Sequence, residues 1–454
     1  MKLRHWGRVL LAALLTFVWA AGVIAAEPPR RLTLKEALRL AFKANPTLQL
    51  SRLEELIADQ DVVRARAGFL PQVKSEVSQT IFDDPTKIKI AAGSLRAGSP
   101  EVAFPTTNRN FWSSKVAVEQ LLFDFWATPS RYQAAVLGRA VSRLDTAQVR
   151  DNIFLNVCGG YFRVLRAEKM VIVASQEVVQ LKEHLRVAKD LYDHGVATYN
   201  DVLQAEVASA DAAQRLIIAK NDVINLKSAM NKLLALPIAA PLTLEEEKVT
   251  VDLPGKLEEA TDAARRRRSD LQAAADRIQQ GEKVVTQNRA KHLPTFYFQG
   301  GHTFQQNAFI LHDSQYFAIF GLRWSMFTGL DTRAQVRQAQ ERVAQLKVRQ
   351  KDLDDQVRLD VQTAYLAVQE TADRIKVTEK AVTQGEENLR LNQERYKEQV
   401  GTATEVIDAQ TLLTKTRVNY FNALYDHQLA KAQMLWAIGA INELLPAESR
   451  THAP

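Results

Sequence analysis

Few residues in this 454-residue chain are spaced for chemistry. The eight histidines are scattered, and His292, His302 and His312, ten apart, fit no helical or strand period that would gather them on one metal ion. The five methionines do not cluster, and no glycine-rich phosphate loop accompanies a strand-then-helix pattern. Cys158, the single cysteine, cannot form an internal disulfide and reads as a small buried residue. The expectation is a protein that is not an enzyme, holds no cofactor or metal, and takes its energy from a partner. "RRRR" at 265–268 falls at a helix–loop junction and reads as a solvated patch. Glu405 and Asp408 stand one turn apart at the start of the last helix, where the helix dipole favours carboxylates.

The elements that position these residues come in two copies. "YDHGVATYNDVLQAE" at 192–206 returns as "YKEQVGTATEVIDAQ" at 396–410, an offset of 204 that pairs Tyr192 with Tyr396 and Thr198 with Thr402. Nearer the start, "LTLKEALRLAFKANPTLQ" at 32–49 is echoed by "GKLEEATDAARRRRSDLQ" at 255–272, and "RAGFLP" by "RAKHLP", at an offset of 223. The first copy therefore carries 19 extra residues, which fall in the proline- and glycine-bearing loop 83–110. Ahead of the copies, residues 1–26 read as a secretory leader: Lys2, Arg4 and Arg8, an apolar run from Val9 to Ala20, and cleavage after Ala25 or Ala26. An uncleaved anchor is the alternative, but the run is short for a span. No cysteine follows the cleavage site, so no lipid anchor is expected there. The formal charge of +7 drops to +4 when the three leader cations leave, which makes no case for a nucleic-acid partner.

Beside each loop the apolar period is two. Val73, Val77 and Ile81 share one face while Lys74, Glu76, Ser78 and Thr80 take the other; Trp112, Val116 and Val118 oppose Ser113, Lys115 and Glu119. "TFYFQGGHTF" and the aromatic "YFAIFGLRWSMF" follow in the second copy. Each run approaches the ~9–11 residues a strand needs to cross a bilayer. One apolar face, one polar face and aromatics near the ends suit a membrane barrel; soluble hairpins packed on helices are the other reading. No apolar run beyond the leader is long enough for a membrane helix.

The helices carry a heptad ladder. Val361, Val368, Ile375, Val382, Leu389 and Tyr396 recur every seven residues, and Val157, Val164, Val171, Val178, Leu185 and Tyr192 match them 204 residues earlier. Three positions after each rung stand mostly small residues, among them Gly160, Ala167, Ala174, Ala364 and Gly385, which let neighbouring backbones approach closely.

Each copy thus reads helix, strand, loop, strand, very long helix, tip, shorter helix. The first, 27–236, has strands at about 71–82 and 111–123, a long helix at about 128–191, tip 192–201 and return helix 202–236. The second, 257–445, has strands at about 294–305 and 316–327, a long helix at about 331–395, tip 396–405 and return helix 406–440. Residues 237–256 link the copies and 446–454 form a short tail. Four strands cannot close a barrel, and open edges are not tolerated in lipid. Spanning strands therefore require sister chains, two giving eight strands and three giving twelve.

With "LTLKEALRLAFKANP", "ARAGFLPQ", "QLLFD" at 120–124 and the two tips, the chain resembles the TolC-like outer-membrane efflux protein family over nearly all of its mature length. The resemblance implies a mostly α protein with a membrane β-barrel: a homotrimer with a twelve-stranded barrel in the outer membrane of a Gram-negative bacterium, a coiled-coil α-helical tunnel in the periplasm and a small equatorial domain. It also implies a periplasmic adaptor and an inner-membrane transporter as partners, with export of drugs, toxins or proteins. On this resemblance Glu405 and Asp408 form the acidic constriction, where rings of carboxylates attract cations. Tyr396 and Asp201 form the closed-tip latch. Gly195, Val196, Ala197 and Thr198 of one tip and Val400, Gly401, Thr402 and Ala403 of the other meet the adaptor. Three departures are visible. "FDFWATPSR" lacks the glycine pair common after the second strand, Gln399 replaces the equivalent of Gly195, and Gly401 stands where the family has a latch arginine. A soluble periplasmic coiled-coil adaptor or scaffold would explain the leader and heptads, but not the paired amphipathic strands.

Overall fold

A computed structural model describes residues 30–94, 96–250 and 254–444; the leader and the tail expected at 446–454 lie outside the described residues. The first copy runs β1 (Arg30–Leu32), α1 (Leu34–Ala44), α2 (Pro46–Arg66), β2 (Gln72–Ile81), β3 (Lys87–Ile90), β4 (Val102–Pro105), β5 (Asn110–Phe123), α3 (Ala127–Asp193) and α4 (Tyr199–Leu233). A link bearing β6 (Leu242–Leu244) follows. The second copy runs α5 (Leu257–Arg267), α6 (Ser269–Ala290), β7 (Thr295–Gln305), β8 (Ser314–Arg323), α7 (Asp331–Lys397) and α8 (Ala403–Ala437). The long helices α3 and α7 have 67 residues each, and the return helices α4 and α8 have 35 each.

These elements form two compact units. One gathers residues up to Ala41, Val157–Lys248 and Thr378–Tyr425; the other gathers Phe42–Asn156, Val249–Val377 and residues from Asp426 onward.

The second unit contains the sheet β2-β5-β7-β8, antiparallel throughout, with β2 and β8 as its edges. Its register sorts the side chains as the period-two pattern requires. Glu76 stands opposite Lys115 and Ser78 opposite Ser113, while Val73 is opposite Val118. Lys74 and Glu119 form a 3.0 Å ion pair on the polar face. The other face exposes Val73 at 69%, Val77 at 70%, Tyr316 at 87% and Phe320 at 78%. So large an apolar surface is stable facing lipid rather than water. Gly301 is required within the sheet, because a Cβ there would stand 2.2 Å from the Val116 carbonyl oxygen.

Several boundaries depart from the sequence reading. β8 ends at Arg323, not near 327. The Trp324 indole donates to the His292 carbonyl at 3.0 Å, and the chain leaves the sheet there. The 83–110 loop carries a hairpin of its own, β3 antiparallel to β4, with an exposed Lys89–Glu101 pair at 2.7 Å beside it. The missing glycine pair after β5 is replaced by residues that accept its geometry: Phe125 and Trp126 take φ of 50° and 73°, as Gly329 and Leu330 take 61° and 71° after β8. Each non-glycine residue there costs about 1–2 kcal/mol. The Phe125 ring packs 4.8 Å from Phe123 and 6.5 Å from Phe296, which offsets part of that cost.

The "RRRR" patch is not simply solvated. Arg268 is 8% exposed, bonds bidentately to Asp270, reaches Asp360 at 2.9 Å and lies 4.8 Å from the Trp436 ring. Arg265 pairs with Asp354 and Arg267 with Glu443. Nearby Asp151 is pushed up to about 6, first by burial and then by the charge of Asp270. Asp270 is two residues from Arg268, but Asp354, Asp360 and Glu443 come from distant positions in the chain, which the run of like charges does not reveal.

The first unit holds a parallel pair, β1 with β6, too short to have shown a period. The Tyr161 hydroxyl, fully buried, lies 3.1 Å from the Leu32 carbonyl and also reaches that of Glu245, tying the strand ends to α3.

Candidate functional site: the paired helical tips

The tips belong to the first unit, where the long and return helices of each copy pack closely. A Cβ at Gly160 would stand 3.0 Å from Met230 Sδ, and one at Gly385 would stand 3.1 Å from Thr416 Oγ1. In both copies a glycine thus permits the crossing of long helix and return helix.

The two turns share one backbone plan. At the first, the amides of Val196 and Ala197 both donate to the Leu191 carbonyl, at 2.8 and 3.2 Å. At the second, Val400 and Gly401 donate to the Arg395 carbonyl, at 2.9 and 3.1 Å. Each turn needs one left-handed residue: Gly195 at φ 74° and Gln399 at φ 64°. Each return helix then starts with a capping box. The Asp201 carboxylate accepts from Thr198 N at 3.0 Å and Thr198 Oγ1 at 2.9 Å, while Asp201 N donates to Thr198 Oγ1 at 3.3 Å. Glu405 accepts from Thr402 N at 3.4 Å and donates from its own amide to Thr402 Oγ1 at 3.2 Å. Asp201 and Glu405 are 204 residues apart, so a latch residue and a constriction residue are the same position in the two copies.

The expected site residues fall into distinct environments. Glu405 is half-exposed and lies 3.9 Å from Arg395 Nη1, and Asp408 is exposed. Tyr396 is 6% exposed, packs 5.2 Å from the His184 ring, and its hydroxyl has no hydrogen-bond partner. Burial raises the Tyr396 pKa, and the charge of Asp201 raises it further. Asp201 is therefore within electrostatic reach of Tyr396, while its carboxylate is engaged by Thr198. Of the eight expected adaptor contacts, Ala403 is fully buried in a core with Leu389, Tyr396 and Val406 and cannot meet a partner in this conformation. Val196 and Val400 are well exposed. Beside the tips, Leu203, Val207, Ala208 and Ile407 line an open apolar groove.

Sequence reasoning missed the polar seam that joins the hairpins. Glu177 is buried and accepts from Thr414 Oγ1 at 3.0 Å and Arg215 Nε at 3.2 Å. Further along α3 on the same side are Gln180 and His184, both with a buried polar atom that lacks a partner. The signal was present: Glu177 and His184 stand seven apart beside the ladder, and both Thr-x-x-acid boxes are legible.

A four-stranded, lipid-compatible sheet and tandem helical hairpins with matched tips, in one chain, define an outer-membrane channel subunit. The family model described as outer membrane efflux protein matches residues 37–236 and 260–440, one match per copy, and the chain belongs to that family. It is 22% identical over 411 residues to the outer membrane efflux protein BepC of Brucella suis, covering 90% of this chain and 85% of that protein. Over 427 residues it is 21% identical to the outer membrane protein TolC of Escherichia coli, covering 90% and 83% respectively. Among solved structures, the outer membrane protein VceC of Vibrio cholerae matches with a TM-score of 0.75 at 18% identity, covering 89% of this chain and 96% of that one.

Proposed function

We propose that this chain is the exit duct of a tripartite efflux or type I secretion system, working as a homotrimer that receives substrate through a periplasmic adaptor from an inner-membrane transporter. The observation that carries the reading is the pair of unsatisfied sheet edges, β2 and β8, on a sheet whose apolar face is exposed. Lipid offers these edges no hydrogen bonds, so β8 of one copy must pair with β2 of the next. Three copies give twelve strands. Exposed Leu50, Leu53 and Ile57 on α2, at helical spacing, are further apolar surface for a sister chain to cover.

In this reading the tips are the gate. Glu405 and Asp408 supply rings of carboxylates that favour cations. Tyr396 and Asp201 form the latch when assembly or movement frees Asp201 from its cap. The turn residues Gly195, Val196, Ala197, Thr198, Val400, Gly401 and Thr402, of which Ala197 and Gly401 are half-buried, receive the adaptor with the apolar groove beside them. The soluble scaffold reading has to leave the barrel-type sheet face in water, and that face weighs against it. Extraction with detergent from outer membranes, a heat-dissociable trimer on gels and ion conductance in planar bilayers are expected. A mature protein that stays monomeric and soluble without detergent would sink the reading.

A further inference from the structure

The tip unit contains buried polar atoms that bond to nothing. Gln180 Oε1 and His184 Nε2 on α3, Tyr396 Oη on α7 and Gln410 Oε1 on α8 all lack a partner. Unpaired buried groups weaken the packing that holds them, because separation returns them to water. His184 is the only one of the four that changes charge near neutral pH. It is 6% exposed, and its ring faces Tyr396 of the other hairpin at 5.2 Å.

We infer that His184 is a positioning residue of the packed seam between the hairpins, and that proton uptake by His184 drives the two hairpins apart, so that acid favours opening of the duct. The inference rests on the reading of the tips as the gate. A protonated ring buried at this place has one attracting charge, and the cost of its burial exceeds that attraction. Asp201, from α4, attracts it, but that carboxylate is bonded to Thr198. From α7 the facing group is the Tyr396 phenol, and Lys397 of the same helix is a cation whose charge acts on Glu183, next to His184. The surrounding ions are engaged elsewhere: Glu183 with Arg186 on α3, Lys189 of α3 with Glu206 of α4, and Glu405 of α8 with Thr402 and Arg395. Asp408, also on α8, is exposed.

The direction of titration agrees. Burial holds the His184 pKa below the ordinary imidazole value, and the attraction of Asp201 only partly opposes it. The packed seam therefore binds this proton less well than an open, wetted seam. Stability of the packed seam is present above the ordinary histidine pKa and is lost as pH falls, so acid shifts the population toward the separated hairpins.

Planar-bilayer recordings of the full-length protein test this, with the tip-side chamber stepped from about pH 8 to about pH 5. The wild type is expected to gain open probability several-fold, reversibly. His184→Gln, which keeps a hydrogen-bonding head but cannot take the charge, is expected to be flat. A wild type that conducts without an acid rise, or a rise kept in His184→Gln, overturns the inference while leaving the conduit reading intact. A wild type that forms no channel overturns both. If His184→Gln does not assemble, hydrogen exchange on the wild type decides. Corrected for intrinsic exchange, amides in 180–191 and 393–406 lose protection in acid while those in 160–170 keep it. A uniform change overturns the inference.

Discussion

The first tip places glycine, Gly195, at its left-handed position, and the second places Gln399 there at nearly the same angle. The first capping box is tight, with acid contacts of 2.9 and 3.0 Å, whereas the second accepts at 3.4 Å. Tyr192 lies half open against Tyr199, while its counterpart Tyr396 is buried with an unpaired hydroxyl. Duplication preserved the backbone path but not its ease. The first tip is relaxed, and the second combines backbone strain, a looser cap and an unsatisfied phenol. If one hairpin moves against the other, the second is the one whose resting state has more to gain.

Exchanging the left-handed residues should perturb that asymmetry most. Gly195→Gln is expected to destabilise the first turn by about 1–2 kcal/mol, all of it conformational, since no atom within 4 Å would obstruct the new Cβ. Gln399→Gly should relieve the second turn by somewhat less, because glycine loses more freedom on ordering. Hydrogen exchange at the flanking amides reads both, and equal responses would erase the contrast. Next come the caps. Thr198→Ala should cost about 1 kcal/mol of local stability, and Thr402→Ala less, measured the same way. The smallest effect separates the tyrosines. Tyr192→Phe should be neutral, whereas Tyr396→Phe should leave the protomer unchanged or slightly more stable in a denaturant midpoint, because it deletes an unpaired buried hydroxyl. A clear loss of stability in Tyr396→Phe would mean that the hydroxyl is bonded in the assembled protein.

Much of this was legible in the residues. The offset of 204 gave the helices, the turns and the alignment of Tyr192 with Tyr396, because helix and strand periods are local. Strand pairs were visible as faces, and the register later matched Glu76 to Lys115. What local pattern could not carry was partnership across the chain. Arg268 looked solvated until Asp360 arrived from 92 residues away, and His184 looked ordinary until Tyr396 packed on it. The constriction and latch were named through family resemblance. The pairing of Asp201 and Glu405 as equivalent caps came from hydrogen bonds.

The matched lengths of the hairpins carry a last consequence. Both long helices have 67 residues and both return helices 35. Adding one heptad to each arm of a single hairpin would lengthen it by about 10 Å. Around the proposed threefold assembly that would make a crenellated rim, three tall teeth alternating with three short ones, and a ring-shaped partner of the proposed kind could then seat on only half of them. Lengthening this duct therefore demands the same insertion in both copies, in phase with the heptads, so its reach is a dimension that the duplicated halves must alter together.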